Sequence, residues 1–176
     1  MTHETILDNG RGLARELIMK HKHEKETGRT SDISQNFIRR HNKTIDFIDL
    51  AGHEKYFKTT VRGINSNLVD YAIIVINANA GIQLMTREHI GIAYTMRIPM
   101  IIVYTKIDIT PPNIYDAHLK FIKTFFNKQL GINTHILTTS EEITTFAATY
   151  NSNVLPDLSL PKNANFNSID GSPDVD

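Results

Sequence analysis

Two short segments hold residues whose types and spacing can do chemistry: Asp49-Leu50-Ala51-Gly52-His53 and Thr105-Lys106-Ile107-Asp108, each at the end of an apolar run of strand length. Where a sheet is covered by helices on both faces, ligands bind at the carboxyl ends of its strands. Asp49, ending its strand, can hold a hydrated Mg²⁺. Gly52, at the next turn, lets a backbone N–H approach a terminal phosphate with no side chain in the way. The same strand–Asp–turn–Gly succession is also a common connection in any α/β fold, so this motif alone supports either reading. Asp108 can accept both N1–H and the exocyclic amino group of guanine, whereas adenine offers a bare N1 acceptor that a carboxylate repels. The aliphatic stem of Lys106 can lie over the purine plane. A lone Lys-x-Asp is more often a surface pair; its place one strand–helix–strand unit after the Asp-x-x-Gly strengthens it. A third segment, Gly28-Arg29-Thr30-Ser31, precedes both. A threonine in a mobile loop there can put its hydroxyl on Mg²⁺ and close over a γ-phosphate. Taken alone, Thr30 is a loop threonine.

The elements that must position these residues are readable from hydrophobic period. Residues 33–49 read as two strands around His41-Asn42, the second running Lys43 to Asp49. Its imperfect alternation of apolar and polar residues suits a strand covered on both sides. A helix is expected from about Glu54 to Asn65, with Phe57, Val61 and Ile64 at helical spacing. The apolar runs at residues 71–76 and 99–104 are strands. Between them a helix over residues 86–96 carries Ile90, Ala93 and Tyr94 on one side. After Pro111-Pro112 comes the clearest amphipathic stripe, Ile114, Ala117, Phe121, Ile122 and Phe125, with Gly131 as the stop. Buried strands alternating with amphipathic helices predict a parallel sheet with helices on both faces. Residues 151–176 hold five Asn and three of the six prolines and are expected to be a disordered or poorly packed tail. The expected division is residues 1–150 as one domain and residues 151–176 as that tail.

Composition narrows the class. Lys plus Arg and Asp plus Glu are 19 each, so a binder that works by neutralising nucleic-acid phosphates is not indicated. With no cysteine there are no disulfides and no zinc-thiolate sites. No apolar run approaches the ~20 residues of a membrane span, so no membrane partner is expected and the cytoplasm is the expected compartment. His21 and His23 sit in a basic stretch read as a solvated face, because no third ligand is near in sequence.

The order of the motifs is decisive. A Thr-bearing loop, then Asp-x-x-Gly-His, then x-Lys-x-Asp is the succession found in GTP-binding switch proteins. The segments Asp49-Leu50-Ala51-Gly52-His53-Glu54-Lys55-Tyr56, Thr86-Arg87-Glu88-His89-Ile90 and Pro99-Met100-Ile101-Ile102-Val103 resemble translation-factor-type GTPases related to elongation factor Tu. Leu7-Asp8-Asn9-Gly10-Arg11-Gly12, Lys22-His23-Glu24 and Gly28-Arg29-Thr30-Ser31 look more narrowly like the GTP-binding protein 1 subfamily. The resemblance implies Thr30 and Asp49 as Mg²⁺ ligands, Gly52 as the γ-phosphate sensor, and His53 as the residue that positions the attacking water. Lys106 and Asp108 would read guanine, with Thr105 in place of the more usual Asn. It implies GTP or GDP with Mg²⁺ as ligands, GTP hydrolysis as activity, and the ribosome, tRNA or RNA-processing machinery as partners.

Beyond Thr105, the sequence departs from that pattern in having no Ser-Ala-type guanine loop and, more consequentially, no phosphate loop. No G-x-x-x-x-G-K-[ST] phosphate loop occurs among its nine glycines. The expected fold is therefore α/β, a P-loop GTPase-type doubly wound, mostly parallel sheet lacking its first, central strand, whose slot lies between the strands ending at Asp49 and near Asn77. Two readings follow. In one, the chain is a GTPase completed by an upstream fragment that carries the phosphate loop. In the other, it is a degenerate pseudo-GTPase serving at most as a binding module.

Overall fold

The structure, a computed structural model, describes residues 21–27, 30–40 and 43–149. The expected tail, Gly28-Arg29, the His41-Asn42 turn and the segment Leu7 to Gly12 lie outside the described residues. A short helix α1 (Lys22–Thr27) precedes an antiparallel hairpin of β1 (Ser34–Arg40) and β2 (Lys43–Asp49). A 3₁₀ turn (Glu54–Tyr56) leads into α2 (Phe57–Asn67), followed by β3 (Ala72–Asn77), α3 (Leu84–Thr95) and β4 (Met100–Thr105). A second 3₁₀ turn (Ile107–Ile109) opens onto α4 (Pro112–Thr124), which runs into a π-helical turn (Phe125–Gln129) and, further on, α5 (Ser140–Thr149).

β3 and β4 pair in parallel, with Ala72 opposite Met100 and Asn77 opposite Thr105. Successive side chains on a strand point to opposite faces, and here the two faces meet different surroundings. Ile76 is buried and Ile74, Ile102 and Tyr104 pack against the same core, which Ile90 and Tyr94 of α3 and Ile122, Phe125, Phe126 and Leu130 complete. The other face carries Ile73 (46% exposed), Val75 (61%), Ile101 (48%) and Val103 (38%). These four pair across the ladder, Ile73 with Ile101 and Val75 with Val103, so they form one apolar patch that no described residue covers. The sheet is thus half dressed: helices pack on one side only among the described residues.

The elements expected from sequence are present within a residue or two of their predicted ends. Ile90, Ala93 and Tyr94 are all buried, as the α3 spacing requires. In α2 the buried positions are Thr60, Gly63 and Ile64, with Phe57 and Val61 half-buried. Gly63 is needed there because a Cβ would overlap Leu50 Cδ2 and crowd Ile33, so its absence lets α2 lie close on the chain that leaves β2. One expectation needs correction. β2 was expected to be covered on both sides, yet Ile45 is 49% exposed and Lys43 to Asp46 are all exposed. The hairpin forms its own two-stranded sheet, apart from β3–β4, so its strands lack the flanking neighbours that would bury them. The stretch around His21, read as a solvated face, forms α1 with His21, Lys22, Lys25 and Glu26 exposed; Glu24, at 3% exposed, is the buried residue within it.

Candidate functional site

The candidate residues fall into two groups, each at the end of a strand pair. The first is built by the hairpin. Its register places Ser34, which opens β1, opposite Asp49, which closes β2. Thr30, just upstream of Ser34, therefore enters at the same end of the ladder from which Asp49 leaves. Thr30 is half-buried and Asp49 is exposed. Beyond Asp49 the chain turns through Leu50, which packs with Ile64, Ala93 and Ile98, into buried Ala51. The Thr60 hydroxyl of α2 donates to the Ala51 carbonyl, so the residue before Gly52 is tied to the helix that follows it. Gly52 itself is exposed, and a Cβ there would meet nothing within 4 Å.

His53 is the cap of the 3₁₀ turn, with extended backbone (φ −85°, ψ 141°), and its Nδ1 accepts from the Lys55 N–H at 3.1 Å. An Nδ1 that accepts leaves the neutral ring protonated at Nε2. In this arrangement the outward face of His53 is a donor, suited to orienting a water through its oxygen. Behind it, Phe57 stacks on His89 of α3 (centroids 5.9 Å apart, 30° between planes). Burial lowers the His89 pKa, and its buried Nε2 has no hydrogen-bond partner among the described residues, so His89 acts as a flat, neutral surface under the start of α2.

The second group sits beyond β4. Ala78 N–H donates to the Thr105 carbonyl at 2.9 Å, continuing the parallel ladder past its last pair. The Thr105 hydroxyl donates to Ile76 O at 3.3 Å, so it clips the two strand ends together. Lys106 then adopts the left-handed conformation (φ 60°, ψ 33°), unusual for a residue with a side chain. Its carbonyl accepts from the buried Thr110 hydroxyl at 2.7 Å, which closes the turn and leaves Lys106 and Asp108 exposed. A backbone held in a sparsely populated region by two hydroxyls is the kind of local strain that clusters at binding sites. The Thr105 and Thr110 hydrogen bonds had no sequence signal beyond two threonines flanking Lys-Ile-Asp-Ile. Across the turn, the loop after β3 is shaped by His118 of α4. Its Nδ1 lies 2.7 Å from Ala78 O and its ring fills the space a Cβ on Gly81 (φ 64°) would need.

The two groups stand on separate two-stranded sheets. Among the described residues no cluster of three or more His, Asp or Glu could hold a metal ion by itself, and no helix is long and apolar enough to cross a membrane. Thr30 and Asp49 offer a hydroxyl and a carboxylate oxygen, hard donors of the kind Mg²⁺ takes. Mg²⁺ typically draws only one or two ligands from protein and the rest from phosphates and water. The donor set fits that ion bound with a nucleotide and does not fit a protein-only cage.

A family model described as the elongation factor Tu GTP binding domain matches residues 2–166. The chain belongs to that family. Within the elongation factor Tu GTP-binding family it is similar to GTP-binding protein 1 of Xenopus laevis, 40% identical over 142 residues, which cover 66% of this chain and 22% of that protein. GTP-binding protein 2 of Homo sapiens is 34% identical over 163 residues, or 81% of this chain and 27% of that protein. Among solved structures, a bacterial selenocysteine-specific elongation factor EF-Sec is similar with a TM-score of 0.62 and 25% identity, covering 75% of this chain and 25% of that one. The elongation factor SelB of Methanococcus maripaludis, solved in complex with the GTP analogue GppNHp, gives a TM-score of 0.52 at 28% identity over 56% of this chain and 21% of that one. The chain therefore spans about a quarter of the length of these relatives. The partly dressed sheet is consistent with a partial P-loop GTPase fold.

Proposed function

We propose that this chain forms the γ-phosphate-sensing and guanine-reading parts of a translational GTPase, and that it hydrolyses GTP when a phosphate loop completes the site. The observation that supports the proposal is the β1–β2 register, which sets Ser34, four residues after Thr30, opposite Asp49, from which the chain runs on to Gly52 and His53. The order of these residues along the chain is also that of the family. Thr30 and Asp49 would hold Mg²⁺, which supplies charge neutralisation at the phosphates. Gly52 presents its N–H to a terminal phosphate oxygen. His53, its Nδ1 engaged by Lys55, turns Nε2–H toward a water and holds it in line with the γ-phosphorus. The Asp108 carboxylate accepts from the guanine edge while the Lys106 stem covers the ring. The protein's contribution is position and charge complementarity rather than a covalent intermediate. Relatives named as elongation factors support the ribosome, tRNA or RNA-processing machinery as partners, in the cytoplasm.

A second reading, a degenerate binding module without hydrolysis, is favoured by the exposed patch of Ile73, Val75, Ile101 and Val103, which leaves the parallel pair unsupported on one face. One experiment separates the two. Residues 1–176 are mixed with, or joined to, a strand, phosphate loop and half-helix of the family type, and Mg·GTP binding is followed by calorimetry and light scattering. Nucleotide binding and monodispersity that appear together on completion support the GTPase. Solubility gained without nucleotide binding refutes it. Tight GTP binding by the 176 residues alone would overturn the requirement for the phosphate loop.

A further inference from the structure

The parallel ladder of β3 and β4 stops one rung short of what its register allows. N–H groups of β3 donate to β4 carbonyls, at Ala72 onto Pro99 and at Ala78 onto Thr105, both at 2.9 Å. In a parallel pair the N–H and C=O of one residue bond to the two neighbours of the residue opposite. With Asn77 paired to Thr105, Ala78 stands opposite Lys106, and its carbonyl would next accept from the Ile107 N–H. Lys106 turns left-handed instead, and the Ala78 carbonyl meets a side chain, His118 Nδ1 of α4, at 2.7 Å. A carbonyl can only accept, so His118 carries its proton on Nδ1 and donates. An imidazole thus stands where the next ladder N–H would be.

The surroundings are built for that ring. Ala78 is 0% exposed, so its carbonyl cannot turn to water and needs a donor from the protein. The Ala80 and Gly81 N–H groups close onto Asn77 O at 3.1 and 2.9 Å, which brings the loop after β3 back beside His118. Gly81 is left-handed (φ 64°), and a Cβ there would stand 2.7 Å from His118 Nε2, so only glycine leaves the ring its place. The backbone of His118 is held from the other strand, since the Tyr104 hydroxyl reaches its carbonyl at 3.5 Å. α4 is therefore tied to β3 through the His118 ring and to β4 through the His118 carbonyl, at the level where β4 ends.

We propose that His118 is a positioning residue for guanine recognition. By taking the Ala78 carbonyl it releases Ile107 from the ladder, and the chain leaves β4 through the left-handed Lys106 into the turn that presents Asp108. The inference rests on the assignment of Asp108 as base reader and adds what sets that residue's place. Phenylalanine at position 118 keeps a ring and removes the donor. The Ala78 carbonyl then draws in the Ile107 N–H, the ladder gains a rung, and Asp108 is pulled off the base. GTP and GDP share the base, so both weaken by the same factor, on the order of tenfold for a lost hydrogen bond to a charged group. Asparagine restores the donor, because its Nδ2 is bonded to Cγ as His118 Nδ1 is. Glutamine carries its nitrogen one atom further out, against Gly81.

The test uses the full chain joined to a phosphate-loop segment, as wild type, His118→Phe, His118→Asn and His118→Gln. Without nucleotide, the His118 tautomer is read from its ring-nitrogen shifts by NMR, and the Ile107 amide by hydrogen exchange. Expected are a proton on Nδ1 and a fast Ile107 amide in the wild type, with that amide slowed in His118→Phe. A neutral ring protonated at Nε2, or an Ile107 amide that exchanges equally in the two proteins, overturns the proposal. Competition among GTP, GDP and inosine triphosphate, which lacks the 2-amino group, follows. His118→Phe should weaken GTP and GDP alike, roughly tenfold, and cut the preference for GTP over inosine triphosphate, with His118→Asn restoring both. A lower melting temperature with the GTP-to-inosine-triphosphate ratio intact makes His118 merely structural and overturns the proposal. Should His118→Phe fail to fold, His118→Asn is expected to keep the guanine preference and His118→Gln to lose it; equal ratios in the two overturn it as well. The underlying assignment is tested separately by Asp108→Asn. An unchanged ratio in that variant removes Asp108 from base reading, whereas the tautomer and the Ile107 amide still report whether His118 ends the ladder.

Discussion

Substitution of Gly52 by alanine separates a structural glycine from a chemical one. A Cβ at this position meets no atom within 4 Å, and Gly52 does not have the positive φ found at Gly81 and Gly131. Alanine at a compatible position stabilises by about 0.4–1 kcal/mol, because the unfolded chain loses freedom. If Gly52 served only the turn, Gly52→Ala would be neutral or mildly stabilising and nothing else would change. If its N–H must reach a γ-phosphate oxygen, the added methyl stands where the phosphate approaches. A hydrogen bond to a charged group contributes about 1.5–3 kcal/mol, so its loss weakens GTP by roughly 10- to 100-fold and leaves GDP untouched. The assay is competition between GTP and GDP for a fluorescent guanine nucleotide on the chain completed with a phosphate loop, alongside a thermal melt. An unchanged GTP-to-GDP ratio removes Gly52 from phosphate sensing. A large fall in melting temperature would show instead that the open space around the Cβ position is needed by the fold.

Three further outcomes are expected. His53→Ala should slow GTP hydrolysis by at least about 100-fold, as expected for a lost positioning group, with GTP affinity nearly unchanged; His53→Asn keeps a cap for the Lys55 N–H and controls for unravelling of the turn. Asp108→Asn should shift preference from GTP toward xanthosine triphosphate, because an amide can donate to the C2 oxygen that replaces the guanine amino group, and retained GTP preference in direct competition excludes Asp108 as the base reader. Leu68, left-handed at φ 46° and 90% exposed, holds a strained backbone without packing in return; Leu68→Gly should raise stability by about 1 kcal/mol in urea unfolding, and a loss would place Leu68 in a contact outside the described residues.

Much of this was written in the sequence in terms of period. The apolar runs at residues 71–76 and 99–104 are the strands their length and composition predict, though one face of each is exposed, and the Ile90, Ala93 and Tyr94 spacing named the buried face of α3 correctly. What escaped was information carried by single hydrogen bonds. Glu24 looked like one charge in a basic stretch because its partner Ser31 is seven residues away. The left-handed turn at Lys106 depends on Thr110, whose hydroxyl has no periodic signature. α5 was missed although its start was legible. Thr139-Ser140-Glu141-Glu142 is a capping box, with the Glu142 N–H donating to Thr139 Oγ1 and Glu142 Oε2 accepting from the Thr139 N–H. The exposure of β2 was not legible, because alternation along a strand does not say whether a neighbouring strand will lie beside it.

The parallel pairing of Ala72 with Met100 has a consequence for the order in which this chain organises itself. β3, α3 and β4 form one strand–helix–strand unit, closed by a short crossover and backed by its own core of Ile76, Ile90, Tyr94, Ile122 and Phe125. Such a unit gains its contacts at small loop-closure cost and behaves as a cooperative block that opens only near the global free energy. The hairpin bearing Asp49 has no comparable core of its own, since its strands are largely exposed. The Lys106–Asp108 turn therefore hangs from the durable block and the Asp49–His53 turn leans against it. Under mild denaturant the hairpin amides should exchange first, and the Asp49–His53 turn should be lost while the Lys106–Asp108 turn still holds its shape.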